Sequence, residues 1–319
     1  MTTLKSSGSN KNNKIICLRP ESDFEEFGEV APSHFNVIYL SPNDRSLIRK
    51  ASDASVLLIP AVGPKISNDI FSKTSLKMVQ VTGAGIDRLD QDFCARNNIK
   101  VCNVLGASAK SVAEYCIFAA LTISRRLSKT TDEILSGNYK ELRGNIIQDR
   151  MFSLSGLTLG VIGFGSIGQE TAKMFSALGC QIQYYDPSDP KVAENLSQIA
   201  VKNGKEELLR TSDIISIHVP LIDQTKNLIS MQEFSLMKKT SILLNASRGG
   251  IVDEHALSQA IQDKKIKGAA IDVFTSEPPE KNNPLLNLPD EFRDNIILTP
   301  HIGGITAQSW SELFSRSWI

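Results

Sequence analysis

The chain is predicted to fold as two α/β domains, each a doubly wound parallel sheet. Short apolar runs alternate with longer polar stretches along most of the sequence, the rhythm of parallel βα units. At 319 residues the chain also exceeds the size at which single cores usually divide. Residues 15–18, 35–40, 55–59, 78–81 and 101–104 read as strands, followed by 157–162, 181–185, 213–219, 242–245, 268–273 and 295–298. Between the two groups a helical stretch runs from Ser111 to about Gly137, with Ser111 and Glu114 as a capping box. It reads as a crossing from one domain to the other.

Composition narrows the class of partner. The chain carries 35 basic and 35 acidic residues, so there is no electrostatic footprint for nucleic acid or an anionic membrane. A small-molecule partner is expected. The five cysteines are scattered without the spacing of a zinc site or a disulfide framework, and read as reduced thiols of a cytoplasmic protein with no metal. Residues 1–13 are rich in Ser, Asn and Lys, lack the apolar core of a signal peptide, and read as a disordered leader. No run reaches the 18 or so apolar residues of a membrane span.

The most specific signal is Thr158-Leu-Gly-Val-Ile-Gly163-Phe-Gly165-Ser166-Ile167-Gly168. A strand empties into a glycine-spaced turn and then a helix. Gly163 permits the tight turn, Gly165 lets backbone approach a pyrophosphate, and Gly168 lets helix and strand pack closely. The helix start at Ser166 and Ile167 then faces the anion. The helix is expected over 166–178, with Gly179 as its stop. The next strand ends in Asp186, 18 residues beyond Gly168, the spacing of a carboxylate on the adenosine ribose. That carboxylate would face the 2′-phosphate of NADP, and like charges about 4 Å apart repel by roughly 4 kcal/mol at an effective dielectric of 20. No arginine follows nearby, so NAD is the expected cofactor.

Ligands of open α/β sheets sit at the carboxyl ends of strands. Three strand ends carry suitable chemistry: Arg248 after residues 242–245, Glu277 after 268–273, and His301 between Pro300 and a glycine pair after 295–298. A guanidinium, a carboxylate and an imidazole make an anion clamp, an orienter and an acid/base. His218, within an apolar strand, reads equally as packing or as a cofactor contact.

From Thr82-Gly83-Ala84-Gly85-Ile-Asp87 through Ser111-Val-Ala-Glu114, the glycine turn, His218-Val219-Pro220-Leu221, Arg248, Glu277 and His301, the chain resembles the D-isomer-specific 2-hydroxyacid dehydrogenases. The resemblance covers roughly residues 15–310. It implies a Rossmann NAD domain, residues 107–300, inserted into a flavodoxin-like substrate domain made of 14–106 and 301–319, and a homodimer formed through the NAD domains. It also implies roles. Arg248 would bind the substrate carboxylate and polarise the carbonyl, His301 would exchange a proton with the 2-hydroxyl, and Glu277 would hold the other imidazole nitrogen. Gly83, Ala84 and Gly85 would offer N–H groups to the carboxylate. Asp272 would meet the nicotinamide carboxamide, His218, Val219 and Pro220 would line the adenine site, and Ala246 and Gly303 would also touch the cofactor.

Some positions depart from the family pattern. Pro60-Ala-Val-Gly-Pro-Lys65 lacks the arginine of members acting on phosphorylated substrates, which weakens phosphoglycerate. Asn103-Val-Leu-Gly106 replaces the usual Asn-Thr-Pro-Gly, and Pro300 stands where formate dehydrogenases place glutamine. Only 18 residues follow His301, fewer than the family's closing helical segment needs, so a shortened chain is expected. The expected function is NAD-dependent interconversion of a small D-2-hydroxy acid and its 2-keto acid. The alternatives are an NAD(H)-sensing binding protein of the corepressor type and a catalytically impaired paralogue.

Overall fold

The computed structural model describes residues 14–149 and 151–318; the expected leader, residues 1–13, lies outside them. Two compact units form. One runs up to Ala107 and resumes at Thr306, and the other is Ser108–Ile305. The chain therefore passes between units just after the positions expected from the sequence, and His301 and Gly303 belong to the larger unit.

In the smaller unit β1 (Lys14–Cys17), β2 (Asn36–Tyr39), β3 (Val56–Pro60), β4 (Met78–Thr82) and β5 (Lys100–Asn103) form one parallel sheet in the order β2-β1-β3-β4-β5. This is the flavodoxin-like order, in which the winding reverses between β1 and β3. Alternate residues feed two cores, as a two-residue period requires. Ile16, Leu57, Ile59, Val79 and Val81 pack on one face. Ile15, Cys17 and Leu58 pack on the other, against Phe24, Phe314 and Trp318. The last two come from helix Ala307–Ser315 and the short turn after it, and Trp318 Nε1 donates to the Glu29 carbonyl at 2.9 Å.

The larger unit holds β6 (Thr158–Ile162), β7 (Gln181–Tyr185), β8 (Ala200–Lys202), β9 (Ile214–Ile217), β10 (Ile242–Asn245), β11 (Gly268–Ile271) and β12 (Ile296–Leu298). Its parallel sheet runs β12-β11-β10-β9-β6-β7-β8. Counted from its own first strand, that is the dinucleotide-binding order 3-2-1-4-5-6 with a seventh strand added. Strands β9, β10 and β11 are buried along their whole length, as parallel strands covered on both faces must be. Helix Ser166–Ala177 follows β6 and ends where Gly179 takes φ +87°. There the Gly179 N–H reaches the Ser176 carbonyl and the Cys180 N–H reaches that of Phe175, satisfying the last turn.

One strand has no counterpart in the sequence reading, and one expectation needs correction. Strand β8 carries no apolar run, because it is a three-residue edge strand whose Val201 and Lys202 are exposed. The long helix from Ser111 to Gly137 is three helices: Ala109–Arg125, Thr130–Leu135 and Tyr139–Gln148. Its N-cap is Ser108, so Ser111 sits buried within the first turn and the expected capping box does not form. The first helix ends at Arg126, which is left-handed at φ 53°. The two that follow bury no residue, so no core contact rewards one continuous helix. All three lie in the larger unit.

Candidate active site

The glycine turn is shaped for a ligand's phosphates. Gly163 has φ +90°, and a Cβ there would lie 2.5 Å from the His218 carbonyl oxygen. A Cβ on Gly168 would lie 2.1 Å from the Gly163 oxygen, whereas one on Gly165 would meet nothing within 4 Å. The first and third glycines are thus required by the protein itself. The second leaves open space beside Ser166 and Ile167, at the N-terminus of a 12-residue helix whose free N–H groups attract an anion.

Asp186 lies at the end of β7. Its Oδ2 accepts the Phe164 N–H at 2.7 Å, tying the carboxylate to the glycine turn, and its Oδ1 accepts the Ser188 N–H at 2.8 Å and hydroxyl at 2.6 Å. Burial raises its pKa, but these hydrogen bonds outweigh it and hold Asp186 below the usual carboxylate value. The pairing of β7 with β8 also brings up a cation that the sequence did not reveal. Lys202 lies opposite Tyr184, with its ammonium 2.6 Å from Asp189 Oδ1. His218 follows β9 with Nε2 2.8 Å from the Ser216 hydroxyl, and burial pushes its pKa down to about 3, so the ring is neutral. Val219 borders the turn, its Cγ1 2.7 Å from where a Gly163 Cβ would stand; Pro220 is exposed.

Because β10, β11 and β12 are neighbours, the residues that follow them share one carboxyl edge. After β10, Asn245 Oδ1 accepts the Ser247 N–H and hydroxyl, and its Nδ2 donates to the Arg248 carbonyl at 3.1 Å. Arg248 Nη1 donates to the Ser247 carbonyl at 2.7 Å. The next residue must be glycine, since a Cβ on Gly249 would lie 1.9 Å from the Phe274 oxygen. That approach brings the Arg248 loop against the segment leading to Glu277. Glu277 Oε1 accepts the Phe274 N–H at 3.1 Å, and Oε2 lies 2.9 Å from His301 Nδ1. Burial raises the Glu277 pKa, but the hydrogen bond and charge of His301, the Phe274 N–H and the Arg248 charge bring it below the ordinary value. With Nδ1 directed at a carboxylate, Nε2 is the imidazole nitrogen left for chemistry.

Asp272, the residue that the resemblance assigns to the nicotinamide carboxamide, sits between the end of β11 and Phe274. Its carboxylate, 1% exposed, is committed to the His301 turn: Oδ1 accepts the Thr299 hydroxyl at 2.6 Å and the Ile302 N–H at 2.8 Å, and Oδ2 accepts the Gly303 N–H at 2.7 Å. Tyr115 and Thr299, which the sequence did not single out as site residues, join this group through a 2.7 Å hydroxyl contact. In the smaller unit the Gly83, Ala84, Gly85 loop leaves β4. A Cβ on Gly83 would lie 2.5 Å from Ala61 Cβ, and Asn103 Nδ2 donates to the Ala84 carbonyl at 2.6 Å.

Residues 117–303 match the NAD binding domain of the D-isomer specific 2-hydroxyacid dehydrogenases. The chain belongs to that family. Its NAD-binding domain is the glycine-turn unit, and the fitted turn and Asp186 agree with NAD as cofactor. Among relatives of this family, a D-3-phosphoglycerate dehydrogenase of Methanocaldococcus jannaschii is 38% identical over 287 residues, covering 89% of this chain and 51% of the relative. The chain thus spans about half the length of that relative. A hydroxypyruvate reductase of Thermotoga maritima is 35% identical, with 82% of each chain covered. A D-lactate dehydrogenase of Aquifex aeolicus, solved with NAD and lactic acid, superposes with a TM-score of 0.81 at 28% identity over 96% of this chain and 93% of that one.

Proposed function

We propose that this family member interconverts a small D-2-hydroxy acid and its 2-keto acid, with His301 as the acid/base. The observation that carries the reading is the 2.9 Å contact between His301 Nδ1 and Glu277 Oε2, on the same carboxyl edge as Arg248. Gly163, Gly165 and the helix start at Ser166 and Ile167 would hold the pyrophosphate, Asp186 the adenosine ribose, and Val219, Pro220, Ala246 and Gly303 the rest of the cofactor. NAD, when bound, supplies or accepts the hydride at C2.

The protein's own groups manage charge and protons. Arg248 binds the substrate carboxylate through charge-assisted hydrogen bonds and draws electron density from the carbonyl. In reduction, His301 gives its Nε2 proton to the oxygen on C2; in oxidation it takes that proton back. Glu277 keeps the ring aimed by accepting at Nδ1. A positioned acid/base contributes about 10² to 10⁴ in rate. The Gly83, Ala84, Gly85 loop is a further source of N–H donors for a carboxylate.

For the substrate, small unphosphorylated acids such as hydroxypyruvate and glyoxylate fit best, because Lys65 is the only cation in the segment after β3. We also propose a homodimer through the NAD domains. Leu127, Ile134, Leu135, Tyr139 and Ile147 are all about half exposed or more, and helices Thr130–Leu135 and Tyr139–Gln148 bury no residue, a surface suited to a second copy. Five free cysteines suit a reducing compartment, and the reading places the protein in the cytoplasm.

The test is NADH oxidation against hydroxypyruvate, glyoxylate, pyruvate and phosphohydroxypyruvate, with His301→Asn beside the wild type. Turnover of at least one acid, abolished in the variant while NADH still binds, is expected. Silence of the wild type across the panel, or full activity of the variant, defeats the proposal.

A further inference from the structure

We infer that the hydroxyl of Tyr115 is a positioning group for His301, acting through Thr299 and Asp272; the inference rests on the role proposed above for His301. Tyr115 stands on helix Ala109–Arg125, and its phenolic oxygen is 2.7 Å from Thr299 Oγ1. That oxygen is in turn 2.6 Å from Asp272 Oδ1, to which it donates. A threonine hydroxyl has a single proton. Since Thr299 gives its proton to Asp272, Tyr115 must be the donor to Thr299. The chain of bonds has one direction, from phenol to threonine to carboxylate. Burial raises the pKa of the phenol, which keeps it protonated and able to donate.

Asp272 then holds the turn that carries the acid/base. Its backbone carbonyl accepts the His301 N–H at 2.8 Å, its Oδ1 the Ile302 N–H at 2.8 Å and its Oδ2 the Gly303 N–H at 2.7 Å. Three consecutive amides thus end on one residue. The clamp has a reason: His301 is left-handed, at φ 55°. A non-glycine residue held there costs of order 1 kcal/mol or more and persists only where its surroundings over-determine it. Orienting the Asp272 carboxylate fixes the turn, and fixing the turn sets where Nε2 stands. Without the Tyr115 proton, the half-buried Thr299 hydroxyl loses its donor and can rotate away from Asp272, loosening one of the carboxylate's three partners.

The ring and the hydroxyl of Tyr115 do separable work. A Cβ on Gly303 would lie 3.3 Å from the Tyr115 ring, so the ring forms a floor under the turn. Tyr115→Phe keeps that floor and removes only the donor. Tyr115 acts on the reacting proton only through two other residues, which makes it a positioning residue.

The experiment compares the full chain with Tyr115→Phe, Thr299→Val, the double variant and Thr299→Ser, each with NADH and the best keto acid of the panel. Tyr115→Phe is expected to lower kcat about tenfold, the effect of roughly 1.4 kcal/mol, with KM for NADH changed less than about twofold. Thr299→Val should match it, the double variant should be no worse than either single one, and Thr299→Ser, which keeps the hydroxyl, should restore kcat. Hydrogen exchange of the amides of residues 301–303 should quicken about tenfold in Tyr115→Phe, with the rest of the larger unit unchanged. Unchanged kcat and exchange, or loosening that spreads through the unit with an equal loss of NADH binding, overturns the inference. A wild type silent on every keto acid would sink the functional reading by itself, while the exchange comparison still decides the role of Tyr115.

Discussion

His301 Nδ1 and Glu277 Oε2 lie 2.9 Å apart although 24 residues separate them in sequence. Each comes from a different strand end, and each is held by a second contact: Glu277 by the Phe274 N–H, His301 by the Asp272 carbonyl. The imidazole is therefore oriented before any substrate arrives, and the nitrogen left free is Nε2.

Glu277→Gln tests that orientation. The amide can still accept at one atom, but it loses the charge that balances a protonated ring. The expected outcome is a kcat lower by about 10- to 100-fold with NADH affinity retained. Steady-state kinetics together with NADH fluorescence titration separate the two, and wild-type kcat in the variant would remove Glu277 from the mechanism.

Asp186→Ala tests cofactor choice. In the wild type its carboxylate would lie against a 2′-phosphate, and Lys202, a cation whose charge reaches Asp186, is already paired with Asp189. Removing the carboxylate should narrow the kcat/KM ratio of NADH over NADPH by about tenfold or more, as expected from relief of a repulsion of a few kcal/mol. Asp186→Asn, which keeps an acceptor for the Phe164 N–H, separates charge from turn geometry. An unchanged ratio in both variants would show that Asp186 does not select.

What was legible in the sequence follows from range. The glycine turn, Asp186 and eleven of the twelve strands among the described residues are local signals: an apolar run, a spacing, a stop. Strand β8 escaped because an edge strand with exposed Val201 and Lys202 has no apolar run to read. The break at Arg126 escaped because a left-handed arginine is stabilised by partners far along the chain. Its guanidinium pairs with Asp149 and Asp294. The link between Tyr115 and Thr299 joins residues 184 apart, and no local pattern marks either one. Asp272 enters only through the family resemblance, and the fold alone shows its carboxylate turned back onto residues 299–303.

Gly249→Ala tests the close approach that brings the Arg248 loop against the segment leading to Glu277. The added Cβ would stand 1.9 Å from the Phe274 oxygen and 2.5 Å from the Thr275 nitrogen, both backbone atoms that cannot swing aside. The loop bearing Arg248 or the segment before Glu277 must move. Overpacking of this kind costs about 1 to 3 kcal/mol, so the thermal midpoint should drop by several degrees. Turnover should fall further than stability accounts for, because Arg248 and Glu277 separate. A variant with the wild-type midpoint and wild-type kcat/KM would show that the contact is not required.

His218 makes stability depend on pH below neutrality. Burial lowers its folded pKa to about 3, whereas an exposed imidazole titrates near 6.5. Between those values the unfolded chain binds a proton that the folded chain refuses, so stability contributed by the neutral ring is complete above about pH 6.5 and declines as the pH falls. Each pH unit in that window corresponds to about 1.4 kcal/mol, which amounts to about 2 to 3 kcal/mol by pH 4.5. His218→Gln can still reach the Ser216 hydroxyl but has no proton to gain. Its denaturant midpoint, measured from pH 7.5 to 4.5, should fall less steeply than that of the wild type. The two curves should run parallel above pH 6.5. Equal slopes across the acid range would mean that His218 is protonated in the fold without penalty, and that its contact with Ser216 does not depend on a neutral ring.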